Sequence, residues 1–140
     1  KGMKVLVFSI SWNRKYAYDN FGEKKNLIIY TGTHDNSPLK EWYEEQNTAR
    51  RRKLRRFLKK KGIRQGSVKD RLIAYTLSSK AEYAILSMPD VLGLGKEGHI
   101  NTPGTVGSPN WEWRMPDFCQ AEKELKRYRS LIEKRKEKQD

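Results

Sequence analysis

Asn26-Leu27-Ile28-Ile29-Tyr30-Thr31, running directly into Gly32-Thr33-His34-Asp35-Asn36-Ser37-Pro38, is the stretch on which the fold turns. Its first half is apolar without alternation. A strand covered on one face alternates apolar and polar positions, whereas an unbroken apolar run predicts a strand buried on both faces, the habit of parallel sheets. Its second half is made of turn formers. Glycine at position 32 lets the chain bend sharply, and Asp, Asn, Ser and Pro carry the loop on. An imidazole and a carboxylate, His34 and Asp35, therefore stand just past the C-terminal end of a buried strand.

Working outward, Met3–Ile10 (MKVLVFSI) and Glu82–Ser87 (EYAILS) also read as buried strands. Between the second and third strands the pattern predicts helices over Leu39–Gln46, over Thr48–Lys61 with Gly62 as C-cap, and over Val68–Ser79. The last offers Leu72, Ile73, Tyr75, Thr76 and Leu77 as an inner face. Ala121–Gln139 reads as one amphipathic helix with Leu125, Tyr128, Leu131 and Ile132 on one side. Ser11–Lys25 reads as loop. Pro89–Pro116 reads as a long loop, too rich in Trp and defined turns to be disordered, and so as a binding loop. The order of strand, loop, strand, helices, strand, loop and helix predicts an α/β chain whose parallel sheet is covered on both faces. Three strands cannot close a barrel, which needs eight.

Composition sets limits on this reading. The 140 residues fit one domain, but 36% are apolar, 34% are charged and the mean hydropathy is −0.94. A chain that rests on more protein fits those values as well as an isolated globule does. The formal charge of +13 raises nucleic acid as a partner, and nine of the thirty Lys and Arg crowd between Arg50 and Lys61. The single cysteine, Cys119, excludes an intramolecular disulfide and points to a reducing, cytoplasmic setting. It has no histidine close in sequence, so an inert thiol is expected rather than a catalytic one. No apolar run approaches the roughly 20 residues of a membrane span. Gly93 and Gly95 fall short of a phosphate loop, because GLGKEG lacks the full glycine-rich loop followed by Lys-Ser or Lys-Thr. No metal cluster or nucleotide motif stands out, and no cofactor is expected.

Two constellations can carry chemistry. In the first, Asp35 is suited to hold sugar hydroxyls or to favour positive charge at a reacting carbon, with His34 as a hydrogen-bond donor. On spacing alone an Asx-turn, in which Asp35 or Asn36 bonds its own backbone, is the simpler account. The second runs through Asp90, then Asn101-Thr102-Pro103-Gly104-Thr105, then Asn110-Trp111-Glu112-Trp113-Arg114. Tryptophan buries a large area and still donates one hydrogen bond, which suits a sugar platform. For Trp113 the plainer role, packing the loop down, is favoured.

Together YTGTHDN, DVLGLGKEGHINTPGTVGSPNWEWR and MKVLVF resemble glycoside hydrolase family 77, the 4-α-glucanotransferases, in order and spacing over nearly the whole chain. The resemblance implies a (β/α)₈ barrel of which this chain is the C-terminal portion, about strands six to eight with their helices. It implies a retaining double displacement with an aspartate nucleophile after strand four and a glutamate acid/base after strand five. Asp35 takes the place of the transition-state-stabilising aspartate after strand seven, and His34 that of a histidine touching the central sugar. Further substrate contacts are implied for Asn36, Asp90, Asn101, Pro103, Gly104, Asn110 and Trp111. The implied partners are α-1,4-glucans, maltooligosaccharides and glucose, together with an N-terminal part of the barrel. Retaining chemistry needs two carboxylates about 5 Å apart. The segments that would bring them do not occur here, so the chain is expected to be inert by itself. Ser11–Glu23, Ser37 and His99 depart from the family pattern. Two other classes remain in play, a basic nucleic-acid-binding module and a non-catalytic carbohydrate-binding module. The first leaves THDN unexplained, the second leaves the buried parallel strands unexplained, and the basic run is read as a solvated outer helix.

Overall fold

A computed structural model describes residues 2–10, 12, 21 and 23–137. Three short strands, β1 (Gly2–Val5), β2 (Leu27–Tyr30) and β3 (Tyr83–Ile85), form a parallel sheet in the order β1-β2-β3. Gly2 pairs with Leu27 and Val5 with Tyr30, while Ile28 pairs with Tyr83 and Tyr30 with Ile85. The register brings all three C-terminal ends to one side. The reading of parallel strands therefore holds. The expected loop over Ser11–Lys25 lies largely outside the described residues.

The first strand is shorter than its sequence suggests. MKVLVFSI leaves β-structure at Val5, and α1 (Leu6–Ser9) follows. Leu6, Val7 and Ile10 recur at helical spacing and are buried, whereas Phe8 is 72% exposed. The Ser9 hydroxyl donates to the Val5 carbonyl at 2.8 Å and closes the turn. A short apolar run cannot separate a strand from a buried helical turn by periodicity alone.

The crossover from β2 to β3 contains α2 (Leu39–Glu44), α3 (Thr48–Lys60) and α4 (Val68–Leu77). Asn47 caps α3 by accepting from the Arg50 amide at 2.9 Å, and Gly62, at φ +81°, stops it as expected. Ser67 and Asp70 form a reciprocal capping box on α4. The expected inner face of α4 is buried, and Leu54 and Leu58 of α3 join it in the core with Ile29 of β2.

Three expectations are corrected. β3 is not buried, since Tyr83 and Ile85 are exposed. It is an edge strand of the described sheet, and the face bearing Tyr83 and Ile85 is exposed. The stretch Pro89–Pro116, expected to be loop throughout, includes most of α5 (Met88–Leu92) and a 3₁₀ turn (Lys96–Gly98). The terminal helix is two helices, α6 (Phe118–Arg127) and α7 (Arg129–Glu137), and Gln139 lies outside the described residues. α6 begins early because Asp117 caps it, accepting from the Cys119 amide at 2.8 Å. The break falls at Tyr128, whose hydroxyl donates to Asp70 at 2.6 Å, and of the expected inner face Leu125 stays exposed. Lys69 and Glu124 complete a charged cluster there, with the Lys69 ammonium donating to the Val91 carbonyl at 2.7 Å and lying 3.2 Å from Glu124. Among the described residues no helix is long and apolar enough to cross a membrane.

Candidate functional site

The loop after β2 is held from below. Thr31, fully buried, accepts from the Ser87 amide at 3.1 Å through its hydroxyl oxygen and donates its own proton to Asp90. Asp90 is 2% exposed and accepts from the Leu39 amide at 2.7 Å, which pins the start of α2. Burial pushes its carboxyl above the usual range, and the bonds from Thr31 and Leu39 with the Lys69 charge offset only part of that rise. Asp90, expected among the substrate contacts, thus lies too deep to touch a sugar on the surface. It fixes the loops that form that surface.

The turn itself separates two neighbours that sequence could not. Asn36 accepts from the Thr33 amide at 3.0 Å and from the Thr33 hydroxyl at 2.9 Å, and donates its amide to the Thr33 carbonyl. The turn is therefore closed by the Asn36 side chain, which bonds back to Thr33 three residues earlier rather than forward in an Asx-turn. The Asp35 carboxylate stays clear of the turn, and its side chain is 45% exposed. One of its oxygens accepts from the Asn101 side-chain amide at 2.6 Å, and the other lies 3.3 Å from His34 Nε2.

The loop between α5 and α6 (residues 93–117) comes over this carboxylate by defined steps. Gly98 packs where a Cβ would come within 2.9 Å of Leu94 and Pro89, so only glycine lets the backbone lie this close. The Asn101 amide donates to the His34 carbonyl at 3.1 Å and clamps the two loops together. Asn110 accepts from the Thr102 amide at 2.8 Å and donates to the Thr105 hydroxyl at 2.8 Å, so its side chain builds the loop. Pro103 and Gly104 form its exposed tip, with Gly104 at φ +80°. Trp111 sits at φ +65°, a left-handed conformation that costs a non-glycine residue about 1 kcal/mol. Its amide is anchored on the Ile100 carbonyl at 2.7 Å. This strained placement lays the indole against His34, with ring centroids 4.8 Å apart and planes at 44°.

Asp35, His34, Asn101 and Trp111 thus form one open polar and aromatic surface, while Asn36, Asn110 and Asp90 support it. The crevice beneath, between residues 32–38 and 87–100, encloses about 10 Å³, roughly the space for one water. The site is thus an open surface rather than a pocket. A larger hollow of about 410 Å³ lies between α2, α4 and α6, away from Asp35, and the Lys69 and Glu124 charges on its wall are already paired. Sequence reasoning did not find the contact between His99 Nε2 and Glu41 at 2.6 Å, which ties the loop to α2. The one available hint was the departure at position 99. The Gly95 amide donates to Glu97 Oε1 at 3.0 Å, so this glycine turn is occupied by its own acid. Among the described residues no group of three or more His, Cys, Asp or Glu is placed to hold a metal ion.

This architecture has close parallels. An amylomaltase from Streptococcus agalactiae, solved in complex with acarbose, superposes with a TM-score of 0.76 over 93% of this chain and 27% of its own, at 21% identity. The chloroplastic/amyloplastic 4-alpha-glucanotransferase of Solanum tuberosum is 31% identical over 134 residues, and that of Aquifex aeolicus 32% over 124. The 4-alpha-glucanotransferase of Synechocystis is 36% identical over 121. These alignments span 94%, 89% and 83% of this chain but only 23%, 25% and 23% of the respective relatives, so the chain spans about a quarter of their length. The sequence pattern of the glycoside hydrolase 77 family, described as 4-alpha-glucanotransferase, matches residues 1–121. By that match this chain belongs to the 4-alpha-glucanotransferase family.

Proposed function

We propose that this chain is the C-terminal segment of a (β/α)₈ barrel that transfers α-1,4-glucan segments to glucose or to another glucan, and that Asp35 stabilises the positive charge developing at the reacting sugar carbon. One observation carries this reading. Asp35, beyond the C-terminal end of a parallel strand, is the carboxylate left out of the loop's own turn, and it shares a surface with an imidazole, an amide and an indole. Barrel enzymes assemble their sites at that end of the strands.

Each group has a task the reaction requires. A glycosyl transition state carries oxocarbenium character, so a fixed negative charge beside it lowers the barrier. Asn101 holds one Asp35 oxygen and leaves the other turned toward His34. His34 can donate to a sugar hydroxyl, and Trp111 gives an apolar face for the ring. Pro103 and Gly104 border the entrance. A retaining reaction also needs a nucleophile and an acid/base. Of the carboxylates nearest the loops, Glu41 is engaged by His99 and Asp90 is buried. The family resemblance gives those two roles to residues after strands four and five of the complete barrel. Met3, Phe8, Tyr83 and Ile85, all exposed here, provide the apolar surface on which its other units pack.

The test is Asp35→Asn in the intact protein, with transfer from maltotriose as the assay. The expected result is a fall in kcat of at least about 100-fold with the melting temperature unchanged. Near-normal transfer by the folded variant would rule out the role given to Asp35.

A further inference from the structure

We propose that the groove between α3 and α4 is a binding site for a small oligophosphate anion, separate from the sugar surface. Arg52, Arg55, Arg56 and Lys59 recur at i, i+3, i+4 and i+7 and so share one face of α3. Arg64, beyond the Gly62 turn, and Arg71, on α4, complete the lining of a concave groove of about 360 Å³. That volume lies in the range of small-ligand sites.

Four of the five other cations of the run have work inside the fold. Arg50 lies over the Trp12 ring and Arg51 over Tyr43, Lys53 donates to the Trp12 carbonyl at 2.8 Å, and Lys61 lies over Phe57. Arg51 also donates to the Gln46 carbonyl at 2.7 Å. In contrast, no carboxylate among the described residues is within ion-pair distance of any of the six groove cations. Arg71 spends one N–H on the Gly66 carbonyl, which neutralises nothing. Like charges at i,i+4 repel, and a concave wall concentrates them further. A bound polyanion relieves that repulsion.

The side-chain type selects the anion. Five of the six lining groups are guanidinium forks, which match phosphate oxygens two at a time. The α3 row from position 52 to 59 is about 10 Å long, enough for more than one phosphate. A neutral glucan offers these groups nothing. Nucleic acid is the weaker fit, because general single-strand binders add aromatic stacking platforms to the basic groove. The lining here holds no aromatic residue, and Trp12 and Tyr43 are engaged by Arg50 and Arg51.

The experiment is calorimetric titration of the intact protein with tripolyphosphate, ATP and a single-stranded oligonucleotide, at about 50 mM and about 200 mM salt. One saturable tripolyphosphate site per chain is expected, with affinity falling steeply as salt rises. Arg55→Gln with Arg71→Gln should weaken it by about tenfold or more, a loss of at least about 1.4 kcal/mol. Maltotriose transfer should not change. Arg50→Gln removes one charge outside the groove, as Lys59→Gln does inside it, and should leave binding within about twofold. If the double variant does not fold, Lys59→Gln, on the exposed side of α3, carries the same comparison. Equal affinity for ATP and tripolyphosphate assigns recognition to the phosphates alone, and tighter ATP makes the ligand a nucleoside polyphosphate; both support the site. The proposal is overturned by absence of a saturable site, by an equal loss in Arg50→Gln, or by tighter binding of the oligonucleotide through the same arginines.

Discussion

Replacing Asp70 with Asn should cost the intact protein about 2 kcal/mol at neutral pH, and the cost should shrink as the solution is acidified. Asp70 sits where α4, α6 and α7 meet, with its side chain 12% exposed. Burial alone would raise its carboxyl. The Ser67 hydroxyl, the Tyr128 hydroxyl and the Lys69 charge outweigh that burial, and the pKa falls from 3.8 to about 2. A drop of nearly two units corresponds to about 2.4 kcal/mol at 1.36 kcal/mol per unit. A carboxyl with a depressed folded pKa contributes fully above its unfolded value, here near 4, and loses that contribution as pH falls through the folded value. At pH 7 the full difference between native protein and variant is therefore expected, and at pH 3 about half of it. The isosteric amide makes the test sharp. One Asp70 oxygen accepts from Tyr128 at 2.6 Å and the other from the Ser67 hydroxyl at 2.6 Å and amide at 2.9 Å. Whichever side the new NH₂ takes, it faces a donor. The assay is urea unfolding followed by tryptophan fluorescence at several pH values between 7 and 3. A variant as stable as the native protein at pH 7, or a gap that stays constant down to pH 3, would refute the reasoning.

Two further outcomes follow from the packing. Arg135, buried on α7, donates to the carbonyls of Leu77, Ser79 and Ala81 and to the Ser79 hydroxyl, holding the turn between α4 and β3. Arg135→Met leaves those buried acceptors without a donor and should lower stability by about 2 kcal/mol, with Arg135→Lys giving little rescue because it lacks the fork; an unchanged urea midpoint would contradict this. The 140 residues expressed alone should self-associate, since β1 and β3 are open edges of the described sheet and Met3, Phe8, Tyr83 and Ile85 are exposed; a monodisperse monomer with a cooperative melt in sedimentation and thermal unfolding would show that this chain needs no further cover.

What could be read from the sequence was local, and what could not was set at a distance. β2 and its loop were legible because an unbroken apolar run and a cluster of turn formers each carry their meaning within a few residues. The inner face of α4 was legible for the same reason. The break at Tyr128 was not, because it depends on a hydroxyl reaching Asp70, 58 positions away. Nor was the burial of Arg135, since three carbonyls at the end of α4 and in the turn beyond it decide it. At the site, the paired Asp35 and Asn36 could each have made the turn. Only the Thr33 bonds to Asn36 assign it, and they leave the Asp35 carboxylate out of the turn. Trp111 could be placed near a sugar by its residue type, but its contact with His34 rests on a left-handed backbone angle that no local rule selects. The mismatch at β3 is of another kind. Tyr-Ala-Ile has the composition of a strand covered on both faces, and two of its three side chains face outward uncovered. Composition records the surroundings in which a strand is stable, so an apolar strand lying open calls for protein to pack against it.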